Sequence, residues 1–133
     1  MKLEQQVCSL ELAKKLKELG VKQDSLFHWK TNFGMVVFNY SDLLLSEGNY
    51  CSAFTVAELG EMLLKEVYIP YKGNSGKKRK YPQHLHCFFG GGDYFLINYT
   101  GGNSQEHLTQ KGDNEANARA KMLIYLLENG LKL

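Results

Sequence analysis

Residues 112–130, GDNEANARAKMLIYLLENG, constrain the fold more than any other stretch, because they read as one helix with both ends specified. Asp113 or Asn114 can cap the N-terminus, and Gly130 follows the last periodic residue. Between them Ala116, Ala120, Leu123, Ile124 and Leu127 recur at helical spacing and form one apolar face. Such a face must be laid on another layer of structure, so the preceding residues have to supply it. The stretch itself carries no nucleophile, no metal-ligand pair and no phosphate loop.

The preceding residues predict two further helices around a set of short aromatic strands. Ser9 is the expected N-cap of the first, Leu12, Ala13, Leu16 and Leu19 form its stripe, and Gly20 ends it, with Val21 folding back. Residues 26–30 and 33–40 are rich in aromatic and β-branched side chains and predict two antiparallel strands, with Thr31 and Asn32 in hairpin position. The connection that follows holds Leu43, Leu44 and Leu45, too apolar for a free loop. Thr55 and Glu58 have the spacing of a capping box, and Val56, Leu59, Met62 and Leu63 give the second helix its buried face. Residues 66–71 predict a strand, 72–82 a mobile basic loop, and 85–89 and 94–99 a hairpin across Gly90, Gly91, Gly92 and Asp93. Residues 107–110 add a short edge strand before the last helix. The expected fold class is α+β: a small antiparallel sheet of about five to six strands with three helices, N-terminal, short central and long C-terminal.

A chain of 133 residues with 44% hydrophobic content suits a single compact domain, here 1–133, that buries its own core. Cys8, Cys51 and Cys87 are odd in number and far apart, which argues for buried thiols in a reducing compartment and against a disulfide framework. Glu4, Gln5 and Gln6 stand where a secretory signal needs apolar residues, and no run approaches the ~20 apolar residues of a membrane span. A soluble, cytoplasmic protein with no membrane contact is expected.

The formal charge of +2 is unevenly distributed. Lys72, Lys77, Lys78, Arg79 and Lys80 lie in one acid-free stretch, which leaves 11 bases against 14 acids elsewhere, a net of −3. A local cluster of this kind, with Tyr81 beside it, suits phosphate contacts, although the mildly acidic remainder is unlike a dedicated nucleic-acid binder.

Three blocks carry a resemblance: SLELAKKLKELGVKQDSLFHWK (9–30), SAFTVAELGEML (52–63) and NEANARAKMLIYLLENGL (114–131). Together, in this order, they resemble small phage and prophage proteins of unassigned function, over roughly two fifths of the chain. The resemblance implies a viral or prophage origin, a bacterial cytoplasm and an accessory or host-directed role. It implies no catalytic residues.

Other chemistry is thinly supported. His84 and His86 would share one face of a strand, but a zinc site needs more ligands, and only Cys51, Cys87 or His107 could supply them; Cys87 falls on the opposite face. The glycine clusters match neither a P-loop nor a dinucleotide fingerprint and read as turns. Glu58 and Glu61 could form an acid–base pair, yet Glu58 is already accounted for by the cap. A helix-turn-helix reading fails because strand, not a recognition helix, follows the first helix. Most of the seven Phe, eight Tyr and one Trp fall on predicted strands, enough to leave rings for a second sheet face unless helices cover it.

The expected function is therefore binding without catalysis, metal or cofactor, with a host protein or a small nucleotide-like ligand as partner and a homo-oligomer left open. The alternative is a nucleic-acid-binding module. Both readings take Lys77, Lys78, Arg79, Lys80 and Tyr81 as the ligand or phosphate site, with Lys72 at its margin.

Overall fold

The structure, a computed structural model, describes residues 2–38, 50–63, 66–72, 78–89, 94–100 and 108–130. A short 3-10 turn, Leu3–Gln5, precedes helix α1, Leu10–Glu18. Strands β1 (Phe27–Lys30), β2 (Met35–Phe38) and β3 (Tyr50–Ser52) follow, then helix α2 (Val56–Met62). The remaining elements are β4 (Glu66–Lys72), β5 (Lys78–Phe89), β6 (Phe95–Thr100), β7 (Leu108–Gly112) and helix α3 (Glu115–Glu128).

Among the described residues the class is α+β with three helices, as the sequence predicts, but the strands form two sheets where a single one of five to six strands is expected. One is three-stranded in the order β2-β1-β3, the other four-stranded in the order β4-β5-β6-β7, and all pairings are antiparallel. The division follows from β3, whose three residues have no readable alternation. It pairs His28 with Ser52 and Trp29 with Cys51, fills the free edge of β1, and leaves β4 to start a second sheet after α2.

The helix termini are made by the residues expected to make them. Ser9 Oγ accepts from the Leu12 amide at 3.4 Å. At the other end Gly20 is left-handed, φ +86°, and the Gly20 and Val21 amides donate to the Lys17 and Leu16 carbonyls, which is a Schellman closure. The Thr55–Glu58 capping box is complete: Thr55 Oγ1 accepts from the Glu58 amide at 3.2 Å, and the Glu58 carboxylate accepts from the Thr55 amide at 2.9 Å. Asn114, the second of the two expected candidates, caps α3 by accepting from the Asn117 amide at 2.7 Å.

The β1–β2 turn differs from expectation. It uses four residues, 31–34, with the Phe33 and Gly34 amides both donating to the Lys30 carbonyl. A two-residue turn would ask β-branched Thr31 for a positive φ, whereas Gly34 takes φ +62° without a Cβ penalty. Phe33 thereby leaves the strand and is 66% exposed.

Helix α3 packs against β6, β7, α1 and α2. Surrounded on several sides, it buries Met122 and Leu126 besides the predicted Ala116, Ala120 and Leu123, a wider band than one amphipathic face. Ile97 and Tyr99 of β6 meet it, and Leu16, Phe54 and Leu59 complete the centre. Removing one of these side chains, as in Leu16→Ala, costs about 2–5 kcal/mol by the general cavity scale. The Trp29 indole donates to the Cys8 carbonyl at 2.8 Å, and the Ser9 amide donates to Asn117 Oδ1 at 2.7 Å, which joins the chain's first helix to its last.

Candidate nucleic-acid interface

The predicted basic loop is largely strand. Lys78, Arg79, Lys80 and Tyr81 open β5, where they pair with Lys72, Tyr71, Pro70 and Ile69 of β4. Lys77 lies outside the described residues. The glycines and serine of the run suggest a loop by composition, but the long aromatic and apolar strand beyond Pro82 extends its pairing back through the lysines.

The two neighbours of β5 contact different parts of it. Among the described residues β4 pairs with its residues 78–84 and β6 with residues 84–89. Residues 66–72 and 78–84 thus form the β4–β5 pair at the edge of the four-stranded sheet. At ~3.4 Å per residue, the six steps from His84 to Lys78 span about 20 Å.

Both prolines of the protein lie in this pair of strands, at the Pro70–Lys80 and Tyr68–Pro82 pairs. A proline has no N–H to give to a hydrogen-bonded pair, and pairs two apart belong to the same class, so both pairs are of the non-hydrogen-bonded kind. Each proline therefore removes an outward N–H, one from the β4 edge away from β5 and one from the β5 edge away from β4.

The pleat sorts the residues by face. Lys72, Lys78 and Lys80 share one face with Tyr68, and Arg79 shares the other with Tyr71 and Tyr81. Lys72 and Lys78 are direct cross-strand partners, a like-charge pair that costs the hairpin stability. No acidic residue occurs anywhere from 67 to 92 to offset it. His84 and His86 are on the lysine face, in rows with Thr100 and Asn98, and Cys87 is on the other, as expected. On that same face of β7, Thr109 and Lys111 are exposed, with the Lys111 ammonium 3.9 Å from the centre of the Tyr94 ring.

Two other places have site-like features. His28, 1% exposed, has Nε2 3.3 Å from Ser52 Oγ, while its Nδ1 has no hydrogen-bond partner. Burial lowers the imidazole pKa below its ordinary 6.5, against the opposing pull of the Gln23 backbone, Glu58 and Asp24. The acid that might orient such a pair is engaged elsewhere: Glu58 accepts from Ser25 Oγ at 2.8 Å and from the Leu26 amide at 3.2 Å. Ser52 is itself fully buried, so the arrangement anchors the β1–β3 pair and admits no substrate. These links join residues 24 to 33 apart, across β3 and into α2, a separation no local pattern in the sequence announces.

The second place is a surface hollow of about 500 Å³ lined by Lys14, Lys17, Glu18, Thr31, Asn32 and Tyr50. Lys17 Nζ already donates to the Tyr50 carbonyl at 2.8 Å, and Glu18 adds a negative charge, so the hollow is poorly suited to an anion. Cys8 and Cys51 are buried and unpaired, and burial pushes the Cys8 thiol up to about 12, which leaves it without nucleophilic thiolate. Among the described residues no group of three or more His, Cys, Asp or Glu could hold a metal ion. Nor is any described helix long and apolar enough to cross a membrane.

Among the described side chains most aromatic rings pack in or against the core. Trp29, Tyr50, Phe54 and Tyr99 are buried, and Phe33, with Lys30 4.8 Å from its ring centre, is the one strongly exposed ring among the described side chains. No protein-family model, curated protein or solved structure matches this chain.

Proposed function

We propose that this chain is a non-catalytic binding protein whose β4–β5 pair contacts the phosphate backbone of nucleic acid, with Lys72, Lys78, Arg79 and Lys80 as the contacting cations. One observation carries the reading: the cations of an acid-free segment are brought together on paired strands, with Lys72 opposite Lys78 and Arg79 and Lys80 following on β5. Cations gathered in one acid-free segment repel one another, and a polyanion relieves that cost. Each neutralised phosphate also releases condensed counterions, so affinity should depend steeply on salt. The alternative of a nucleotide-like ligand held between aromatic rings has less support, since the described rings lie mainly in the core.

The test is fluorescence anisotropy with a labelled mixed-sequence DNA between 50 and 200 mM salt. Binding should weaken linearly on a log–log plot, and the triple variant Lys78→Ala, Arg79→Ala, Lys80→Ala should flatten the slope by about two to three units, at ~0.9 per duplex phosphate contact. An unchanged slope in the folded triple variant, or no binding at low salt, would defeat the reading.

A further inference from the structure

We infer that Asn129 is a site of covalent modification: its carboxamide is lost by deamidation, at a rate set by how often the last turn of α3 opens. Of the nine asparagines in the chain it alone precedes a glycine. The reaction needs the amide nitrogen of the next residue to reach the asparagine Cγ, and glycine, with no Cβ, obstructs that approach least. Asn129 and Gly130 are both exposed, so water reaches the site. By contrast Asn32, Asn98, Asn114 and Asn117 are followed by Phe33, Tyr99, Glu115 and Ala118, each with a side chain in the way.

The Gly130 nitrogen, having given its proton to solvent base, bonds to Asn129 Cγ. The Cγ–Nδ2 bond breaks, and Nδ2 departs as ammonia after taking up a proton from solvent, which leaves a five-membered succinimide. Water then opens the ring at one carbonyl or the other. Opening at Cγ gives aspartate at position 129, and opening at the backbone carbonyl gives isoaspartate, with the main chain routed through the former side chain. Nothing is oxidised or reduced, and water is the one co-reactant.

The native helix end holds the reactants apart. Asn129 keeps a helix-like course, φ −96° and ψ 11°, and its Nδ2 donates to the Tyr125 carbonyl at 2.8 Å. The Asn129 and Gly130 amides donate to the Tyr125 and Leu127 carbonyls at 3.1 and 3.2 Å. Attack therefore requires loss of the Gly130 and Nδ2 hydrogen bonds and rotation about ψ of Asn129, which is fraying of one helical turn and not global unfolding. The product does not restore what was lost. A carboxylate cannot donate to the Tyr125 carbonyl, and it adds negative charge at the negative end of the helix, beside Glu128, in a last turn with no basic residue. Lys15 of α1 already pairs with Glu128 at 3.4 Å. Deamidation thus loosens the end of α3 that is tied to α1.

The experiment incubates the full chain at pH 7.5 and 37 °C, native and in guanidinium chloride, and follows the asparagines by peptide mass spectrometry with electron-transfer fragmentation, which separates aspartate from isoaspartate. Exchange of the Gly130 amide proton is measured by NMR under the native condition. In the native protein Asn129 should react ahead of Asn32, Asn98, Asn114 and Asn117, with isoaspartate in excess. Its native rate should fall below its denatured rate by the protection factor of the Gly130 amide, to within about threefold. Asn129→Asp, which carries one of the two products, should exchange the Gly130 amide severalfold faster than the parent. Absence of reaction at Asn129 in denaturant, or earlier native reaction at any of the other four, would overturn the site. A native rate about tenfold or more away from that set by Gly130 exchange would overturn the gating by helix fraying, and unchanged Gly130 protection in Asn129→Asp would overturn the loosening of α3.

Discussion

Gly112, the last residue of β7, should be among the least replaceable positions in the protein. It is buried where the strand turns into α3, opposite Phe95. A Cβ built there meets the Ala118 amide nitrogen closer than real Cβ atoms approach, and lies 2.9 Å from both Ala118 Cα and the Asn114 carbonyl oxygen. All three are backbone atoms of the first turn of α3, so no side chain can swing aside; strand and helix must separate. Overpacking of a close-packed interior costs ~1–3 kcal/mol, and a backbone clash belongs at the upper end. Against this, Gly→Ala stabilises by ~0.4–1 kcal/mol through the unfolded chain. The net expectation for Gly112→Ala is a loss of about 2 kcal/mol. With an unfolding entropy of ~2.1 cal/mol/K per residue, or about 280 cal/mol/K here, that lowers Tm by roughly 7 °C. Gly60→Ala is the internal control. Its Cβ meets only the Arg119 guanidinium, Nη1 at 2.8 Å, which can move at the expense of its ion pair with Glu115. A mid-helix Gly→Ala gains up to ~1 kcal/mol of propensity, so Tm should hold or rise by a few degrees. Thermal unfolding followed by far-UV circular dichroism compares the two. A Gly112→Ala protein melting within 2 °C of the parent, or below which Gly60→Ala falls, would refute the packing of β7 on α3.

Glu58→Ala removes the acceptor for the Thr55 and Leu26 amides and the Ser25 hydroxyl, and should cost about 2 kcal/mol in urea unfolding, with Glu58→Gln recovering part of it; equal loss in both variants would show that the acceptor oxygen is not what matters. Because burial lowers the His28 pKa, the unfolded chain binds the extra proton, so stability should be present above about pH 6.5 and decline as pH falls from there toward the folded pKa. Replacing His28 with Gln should reduce that acid-side slope measured by urea midpoints from pH 4.5 to 7.5, and an unaltered slope would count against a neutral buried imidazole. Cys8 and Cys51 should resist iodoacetamide in the native protein and react within minutes in denaturant, as read by peptide mass spectrometry; rapid native labelling of Cys8 would contradict its burial.

Local chemistry was legible in this sequence wherever a rule acts over three or four residues. Ser9, Gly20, Thr55 with Glu58, and Asn114 make the helix ends because each satisfies a backbone group beside it. What depends on distant pairing was less legible. Tyr50–Ser52 is too short to announce a strand, so the division into two sheets was hidden. The basic run has the composition of a loop, and its strand character comes from a partner at Lys72 and from the continuous strand that follows, neither of which the charges reveal. The candidate site was therefore readable in its residues and unreadable in its shape. Lys77 is the one expected site residue outside the described residues, where residues 73–76 of the run and Leu43, Leu44 and Leu45 of the predicted apolar connection also fall.

The central place of α3 has a consequence for how the protein is made. Of the described elements it is the last to be synthesised, yet it packs against α1, α2, β6 and β7, and its Asn117 side chain holds the Ser9 amide 108 residues away. Until it has emerged from the ribosome, Leu16, Leu59 and Ile97 have no lid, and the nascent chain holds helices and hairpins without a closed interior. Folding must then be a late, all-or-none event after translation of α3, with many contacts distant in sequence and a correspondingly slow rate. A premature stop before residue 115 should yield not a smaller domain but an open chain, exposed to proteases.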